Sequence, residues 1–248
     1  MKCFGITDKG KIREDNQDCF IIEKCEKKSC FIVALCDGMG GAKAGGLASR
    51  LANKTFVSYV FDKLMSRKRL TSSYKQILID ACNEANRVDF DYSQFDDSCK
   101  GMGTTIVGGI ISENGSGHII NVGDSRAYLI SVRHRDIYQI TRDHSLVEDL
   151  VEYGAITKEQ ARTHPQKNVI TRAVGAEAEV AADYFEFNLQ NSDILLLCSD
   201  GLSNMVSDIE ILDYAVEYSE PELLCRALMN KALNRGASDN VTVVAVSR

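Results

Sequence analysis

The sequence predicts an α+β fold: an antiparallel β-sandwich flanked by helices on both sides, a four-layer α-β-β-α arrangement. Two observations carry this expectation. Strand-like apolar runs stand on either side of two consecutive helical patterns, and the later strands are linked by short turns into a meander. A third observation bears on function. Three of the apolar runs end or begin at an aspartate, so carboxylates would gather at one rim of the sandwich.

Residues 19–22 and 31–36 read as paired strands, with a charged turn at 24–28 between them. Residues 42–65 read as a helix because apolar positions recur at Leu47, Leu51, Phe56, Val60 and Leu64. Residues 74–90 form a second helical pattern, with Ile77, Leu78, Ala81, Ala85 and Val88 on one face. A hairpin is expected from 104–112 and 118–122 around Asn114-Gly115-Ser116-Gly117, and 127–132 should continue that meander. Residues 145–160 are helical but interrupted by Gly154, and 163–175 have mixed character; together they suggest a flap at about 145–175. Residues 209–218 and Pro221–Asn234 are helices, the second with proline at its start and Gly236 just past its end.

At 248 residues, with no repeat and no linker-like stretch, the chain reads as a single domain over 1–248. A net charge of −6 argues against a nucleic-acid surface, which needs an excess of Lys and Arg. Arg67-Lys68-Arg69 and Arg133-His134-Arg135 are short enough to read as solvated faces. No apolar run approaches the roughly 20 residues that span a bilayer, and the N-terminus lacks the apolar stretch of a signal peptide. Nine cysteines, an odd number without framework spacing, suggest buried thiols in a reducing compartment, and a cytoplasmic location is expected.

Several hydrolase chemistries are excluded. No cysteine has an arginine six positions on, as a cysteine-based phosphatase requires. Cys-x-x-Cys and His-x3-His spacings for zinc are absent, as is the Gly-x-Ser-x-Gly elbow. The glycine-rich segment 37–46 lacks the Gly-Lys-Ser/Thr of a P-loop.

The aspartates stand out instead. Asp37 follows the apolar run 31–36 and is followed by Gly38; Asp200 follows 194–199 and is followed by Gly201; Asp239-Asn240 opens the run 241–246. A buried strand end is a costly place for a charged carboxylate. Three of them suggest convergence on a hard cation such as Mg²⁺ or Mn²⁺, which takes oxygen ligands. The ordered set R-x-x-N-Q-D (Arg13 to Asp18), D-G-M-G-G, G-T-T, V-G-D-S-R (with Asp124), S-D-G-L and S-D-N-V-T-V spans residues 5 to 246. It resembles the metal-dependent protein phosphatases, the PPM family of protein phosphatase 2C type, in their compact bacterial form.

The resemblance implies roles residue by residue. Asp37 would bridge two core Mn²⁺ or Mg²⁺ ions, with the Gly38 backbone carbonyl on one of them and Asp200 and Asp239 on the other. Asp18 would act through metal-bound water, Asp124 with Asp200 would hold a third, weaker ion, and Arg13 would bind the substrate phosphate. A metal-bound hydroxide would then attack phosphorus in line, without a covalent intermediate. The substrates implied are phosphoserine and phosphothreonine in proteins, phosphorylated by a cognate bacterial kinase; a monomer without nucleic-acid or membrane partners is expected. Two positions depart from the family: Met39 stands where some relatives carry a histidine, and Gln17 where some carry a glutamate. Two competing readings remain: a phosphatase dedicated to a partner-switching regulator, and a pseudophosphatase serving as a docking module. Plainer roles are weighed as well. Asp37 or Asp200 alone would read as a turn former, Arg13 as a surface ion-pair residue, and Asp124 and Arg126 as a structural pair. His144 and His164 read as orienting or packing residues, and Ser199 as a residue satisfying a backbone group.

Overall fold

The computed structural model describes residues 1–41, 44–66 and 73–248. Its strands in chain order are β1 (Lys2–Asp8), β2 (Asp18–Cys25), β3 (Cys30–Met39), β4 (Gly103–Thr104), β5 (Ile106–Ser112), β6 (Ser116–Val122), β7 (Arg126–Ser131), β8 (Asp136–Gln139), β9 (Asp183–Asn188), β10 (Asp193–Cys198) and β11 (Val241–Ser247). The helices are α1 (Ala44–Met65), α2 (Tyr74–Phe95), α3 (Leu146–Glu152), α4 (Lys158–Arg162), α5 (Asp200–Ser203), α6 (Asp208–Glu217) and α7 (Pro221–Asn234). One sheet has the order β1-β11-β10-β7-β8 and the other β2-β3-β5-β6-β9, with β4 pairing the end of β3. This is the four-layer sandwich that the sequence predicts.

The unbroken apolar runs are explained by burial on both faces. Along β3, Phe31, Val33 and Leu35 point into the space between the sheets, where they meet Leu195, Leu197, Val244 and Val246. The alternate residues Ile32, Ala34 and Cys36 pack under α1 and α2 against Phe56, Val60 and Leu78. The other sheet repeats the scheme, with Ile194, Leu196, Val243 and Ala245 packed against Leu224 and Leu228 of α7. Each such side chain contributes about 1.5–3 kcal/mol on burial. Three side-chain cores thus separate four layers, and the strands between them are held in fixed register.

The structure departs from the expectations in several places. Residues 127–132 do not continue the meander: β7 pairs with β10 and β8 in the opposite sheet. The chain leaves β6 through Gly123, at φ +101°, and crosses between sheets within three residues. A short connection reports proximity of its ends but not which sheet receives them. The helical stretch at 145–160 is divided into α3 and α4, with Gly154 at φ +69° between them. Residues 163–175 carry isolated bridges, Ser145 with Ile170 and Thr104 with Val174. β1, β8 and β9 went unassigned, since none carries the long apolar run of β3 or β10. Ala42, the expected first residue of α1, and Arg67-Lys68-Arg69 lie outside the described residues. Among the described residues no helix is long and apolar enough to cross a membrane.

Leu195 is fully buried between the sheets, away from the aspartates. Leu195→Ala should therefore cost about 2–5 kcal/mol of stability through lost burial and a cavity. Urea denaturation should show a lower midpoint with an unchanged slope; a midpoint within error of wild type would mean that the two sheets do not share this core.

Candidate active site

Strand register assembles the site. In the β2–β3 ladder Asp18 stands directly opposite Asp37. Beyond Cys36, β3 exchanges its partner from β5 to β4, with Gly38 opposite Thr104. The Gly-Thr-Thr motif secures this junction. Thr105 Oγ1 accepts from the Asp37 N–H at 3.0 Å, while the Asp37 carbonyl accepts from Thr104 Oγ1 at 2.8 Å and from the Thr105 N–H at 2.9 Å. Gly38 is required sterically, because a Cβ there would stand 2.1 Å from the Gly45 carbonyl oxygen. The first turn of α1 thus packs directly on the backbone beside Asp37.

Asp200 and Asp239 come from the other sheet. Asp200 opens α5 immediately after β10, and Asp239 immediately precedes β11. Gly201 permits this approach, since a Cβ at that position would lie 1.9 Å from the Asn240 carbonyl oxygen. Asn240 then fastens the loop that carries Arg13: its Oδ1 accepts from the Gln17 N–H at 2.8 Å, and its Nδ2 donates to the carbonyls of Lys9 (3.0 Å) and Asp15 (2.9 Å).

Asp18 is buried between the two sheets. Its Oδ2 accepts from Ser199 Oγ and Thr242 Oγ1, both at 2.7 Å, whereas its buried Oδ1 has no hydrogen-bond partner. Ser199 also accepts from the Thr242 N–H at 3.0 Å, so this serine ties β2, β10 and β11 together instead of serving as a nucleophile.

The carboxylates share one electrostatic neighbourhood. Burial pushes Asp37 well above the usual carboxylate range, reinforced by the negative charges of Asp18, Asp200, Asp124 and Asp239. Burial pushes Asp18 up to about 6, opposed by its two hydroxyl donors. Burial and Asp239 push Asp200 up to about 6; burial and Asp200 push Asp124 up to about 8. The clustering stops short of a ready-made ion cage: among the described residues no three Asp, Glu, His or Cys side chains are drawn together closely enough to enclose an ion. Besides Asp18 with its two hydroxyls, two further aspartates lean on protein donors. Asp239 accepts from Arg13 at 2.8 Å and Asp200 from Asn204 Nδ2 at 3.1 Å. Arg13 is thus beside the cluster and ion-paired to it.

The remaining polar residues act from behind. His144 is buried; its Nδ1 accepts from the Gly123 N–H at 3.1 Å and its Nε2 faces Asp183 at 3.1 Å, which fixes the turn presenting Asp124. Burial lowers its pKa, and a neutral ring protonated on Nε2 satisfies both contacts. Arg126 grips Asp143 through Nε and Nη2 at 2.7–3.0 Å, a structural pair. His164 Nδ1 accepts from the Gln166 N–H at 3.1 Å and closes a local turn. Sequence reasoning assigned no role to Thr242 or Asn204. A signal existed for Thr242, the lone polar residue in the run 241–246.

Two stacked antiparallel sheets between helical layers, with five mutually repelling aspartates at one rim beside an arginine, make a site suited to metal-dependent chemistry on an anionic group. The comparisons with known proteins agree. The family model for protein phosphatase 2C matches residues 4–241. The chain is 38% identical over 245 residues to the serine/threonine phosphatase Stp of Listeria monocytogenes, covering 98% of this chain and 94% of that one. It resembles the crystal structure of Stp1 from Staphylococcus aureus with a TM-score of 0.89 at 37% identity, covering 100% of this chain and 94% of that one. It also resembles the catalytic domain of the phosphatase PstP in complex with two manganese ions, with a TM-score of 0.80 at 31% identity over 98% of this chain and 96% of that one. The chain belongs to the protein phosphatase 2C family and is a protein serine/threonine phosphatase.

A pH dependence follows from Asp18. Its folded pKa lies above the unfolded value, so its contribution to stability is fully present below about 4 and is lost as pH rises through about 6. In chelator, Asp18→Asn should gain on wild type over that interval, on the order of 1.4 kcal/mol for each unit of the shift. Urea denaturation across the range checks this. A difference between the two proteins that stays flat with pH would mean that Asp18 titrates as an ordinary carboxylate.

Proposed function

We propose that this phosphatase hydrolyses phosphoserine and phosphothreonine in proteins with two core divalent cations, Mn²⁺ or Mg²⁺, and a third held more weakly. The observation that carries the reading is the state of the clustered carboxylates. Asp18, Asp37, Asp124 and Asp200 are driven toward protonation by burial and by one another, and Asp18 Oδ1 has no protein donor. An all-oxygen set of this kind suits hard cations. Manganese in the related PstP domain supports the same choice.

In this reading Asp37, Asp200, Asp239 and the Gly38 carbonyl would hold the core pair, and Asp124 with Asp200 would hold the third ion. Bound there, the cations supply an acidified water and positive charge opposite the phosphoryl oxygens. The protein groups do the rest. Thr104 and Thr105 fix the backbone of Asp37, so that its carboxylate projects from a rigid strand end. Ser199 and Thr242 hold one oxygen of Asp18 and leave the other to accept a proton from the attacking water. Arg13, half-exposed, exchanges Asp239 for the phosphate, which its planar fork can grip in two places. Met39 has no proton to give the leaving alcohol, so that proton comes from another donor.

The single domain at 1–248, with residues 145–175 as a flap beside the site, suits a cytoplasmic monomer that opposes a cognate serine/threonine kinase. One isolated bridge, Thr104 with Val174, joins the flap to a strand, and the other, Ser145 with Ile170, closes the flap on itself, which supports a segment able to adjust to a protein substrate.

Hydrolysis of p-nitrophenyl phosphate should require Mn²⁺ or Mg²⁺, stop with a chelator and survive thiol alkylation; full activity in chelator would overturn the mechanism. Asp37→Asn should lower kcat by roughly 100-fold or more even at saturating Mn²⁺. A variant close to wild type would remove Asp37 from the ligand set.

Arg13→Ala separates phosphate binding from metal binding. One charge-assisted contact of about 1.5–3 kcal/mol corresponds to roughly a 10- to 150-fold loss in kcat/KM. Calorimetric Mn²⁺ affinity should hold or rise, because Asp239 is released from its ion pair. Unchanged kcat/KM would leave Arg13 as a structural partner of Asp239 alone.

A further inference from the structure

The β2–β3 ladder sets two cysteines of each strand face to face, Cys19 opposite Cys36 and Cys25 opposite Cys30. Both pairs fall on the face covered by α1 and α2. The Gly38 N–H donates to the Gln17 carbonyl at 3.1 Å, so by alternation along the strands both cysteine pairs stand at directly bonded positions. Such positions place the Cα atoms about 5.5 Å apart, inside the roughly 4.4–6.8 Å that a disulfide spans. In each pair one thiol is a hydrogen-bond partner of the other.

The two pairs differ in their surroundings. Cys25 and Cys30 are both buried, and Cys25 Sγ meets the Met65 thioether at 3.7 Å. Cys36 is buried as well, but Cys19 is only partly so, and its neighbours are polar. Cys19 Sγ donates to the Ser49 carbonyl at 3.1 Å and accepts from Asn53 Nδ2 at 3.3 Å. Asp89 on α2 is close enough for its charge to act on both thiols. It is fully buried, and among the described residues neither of its carboxyl oxygens has a hydrogen-bond partner; Asn53 Oδ1 lacks one too. Three acceptor oxygens without donors, grouped around a thiol, suit a small molecule that carries two O–H groups. Hydrogen peroxide is such a molecule, and it is also the one that oxidises thiols.

We propose that Cys19 and Cys36 form an oxidation site, which takes hydrogen peroxide, closes to a disulfide and thereby lowers the phosphatase activity. Cys19, the more accessible thiol, attacks the O–O bond. Its sulfur gains one oxygen as a sulfenic acid, and the departing hydroxide takes the thiol proton and leaves as water. The Cys36 sulfur then displaces the sulfenic hydroxyl, which takes the Cys36 proton and leaves as a second water. The two thiols together give up two electrons, and the peroxide is reduced by the same two. A thiol reductant reverses the bond. The effect on catalysis follows from the register, because Asp18 and Asp37 are the next pair along the same ladder. Joining Cys19 to Cys36 draws their Cβ atoms together to about 3.8 Å, closer than a directly bonded pair holds them. The strand ends that carry the two aspartates must move with them.

The test reads the bond and the activity separately. Metal-free protein is exposed to hydrogen peroxide, the excess is removed with catalase, free thiols are alkylated under denaturing conditions, and tryptic peptides are mapped by mass spectrometry. Residues 14–24 carry Cys19, residues 25–27 carry Cys25, and residues 29–43 carry Cys30 and Cys36. The expected link joins 14–24 to 29–43, persists in Cys30→Ala and disappears in Cys36→Ala. A parallel sample, not alkylated, receives Mn²⁺ and is assayed with p-nitrophenyl phosphate. Oxidised wild type should lose roughly 10-fold or more in kcat, since a displacement of about 1 Å costs on the order of 100-fold, and should recover with dithiothreitol. Cys19→Ser and Cys36→Ala should keep their starting activity through the same treatment. The inference is overturned if no link between 14–24 and 29–43 forms, if the linked enzyme is as active as the reduced one, or if both variants are inactivated like wild type. Untreated wild type separates the two levels: failure to hydrolyse with Mn²⁺ there sinks the metal-dependent mechanism, whereas normal hydrolysis that peroxide leaves unchanged sinks only the oxidation site.

Discussion

The structure depends on holding like charges together. Asp18, Asp37, Asp124, Asp200 and Asp239 repel one another and resist burial, yet they are fixed at a single rim. No side chain could hold such a set by itself; the rigidity comes from strand pairing. A one-residue slip in the β2–β3 ladder would turn Asp18 and Asp37 to opposite faces and expose the alternate apolar residues to the wrong layer. The three apolar cores that specify register thereby specify the site. Stability invested in Phe31, Leu195 and Leu228 is what keeps the carboxylates in place.

The hydroxyl pair on Asp18 shows how a sandwich can bury part of that charge. Ser199 directly follows β10 and Thr242 lies in the neighbouring β11 of one sheet, while Asp18 belongs to the edge strand of the other. Their shared acceptor is a polar bridge across an otherwise apolar interface. Asn240 works in the same way two residues before Thr242, by satisfying three backbone groups of the loop between β1 and β2. Both connections join residues more than 180 positions apart, which makes the rim a long-range structure.

Much of this was legible in the sequence. The apolar runs 31–36, 194–198 and 241–246 announced strands and placed Asp37, Asp200 and Asp239 at their ends, while α6 and α7 appear nearly where their periodicity and Pro221 put them. The aspartates, Arg13 and Asp18 do come to one region. What stayed illegible was pairing. Nothing between β6 and β7 distinguishes a turn within a sheet from a crossing between sheets, so 127–132 was assigned to the wrong one. The resemblance implied phosphate binding for Arg13, and an ion pair was the plainer reading; that its partner is Asp239 is a fact of distance that no sequence spacing names. The supporting roles of His144, behind Gly123, and of Asn204, beside Asp200, depend equally on contacts between residues far apart in the chain.

The placement of β11 has a consequence for synthesis. It follows every other element in the chain, yet it occupies an interior position of its sheet, between β1 and β10, and brings Asp239, Asn240 and Thr242 to the rim. A ribosome that has made everything through α7 has produced both helical layers and one complete sheet, but a second sheet with a gap in its middle. Such a nascent chain has neither the clamp on the Arg13 loop nor the second hydroxyl on Asp18. A message truncated before residue 239 yields protein in which β1 and β10 lack the strand between them, with unpaired edges open to aggregation and quality control.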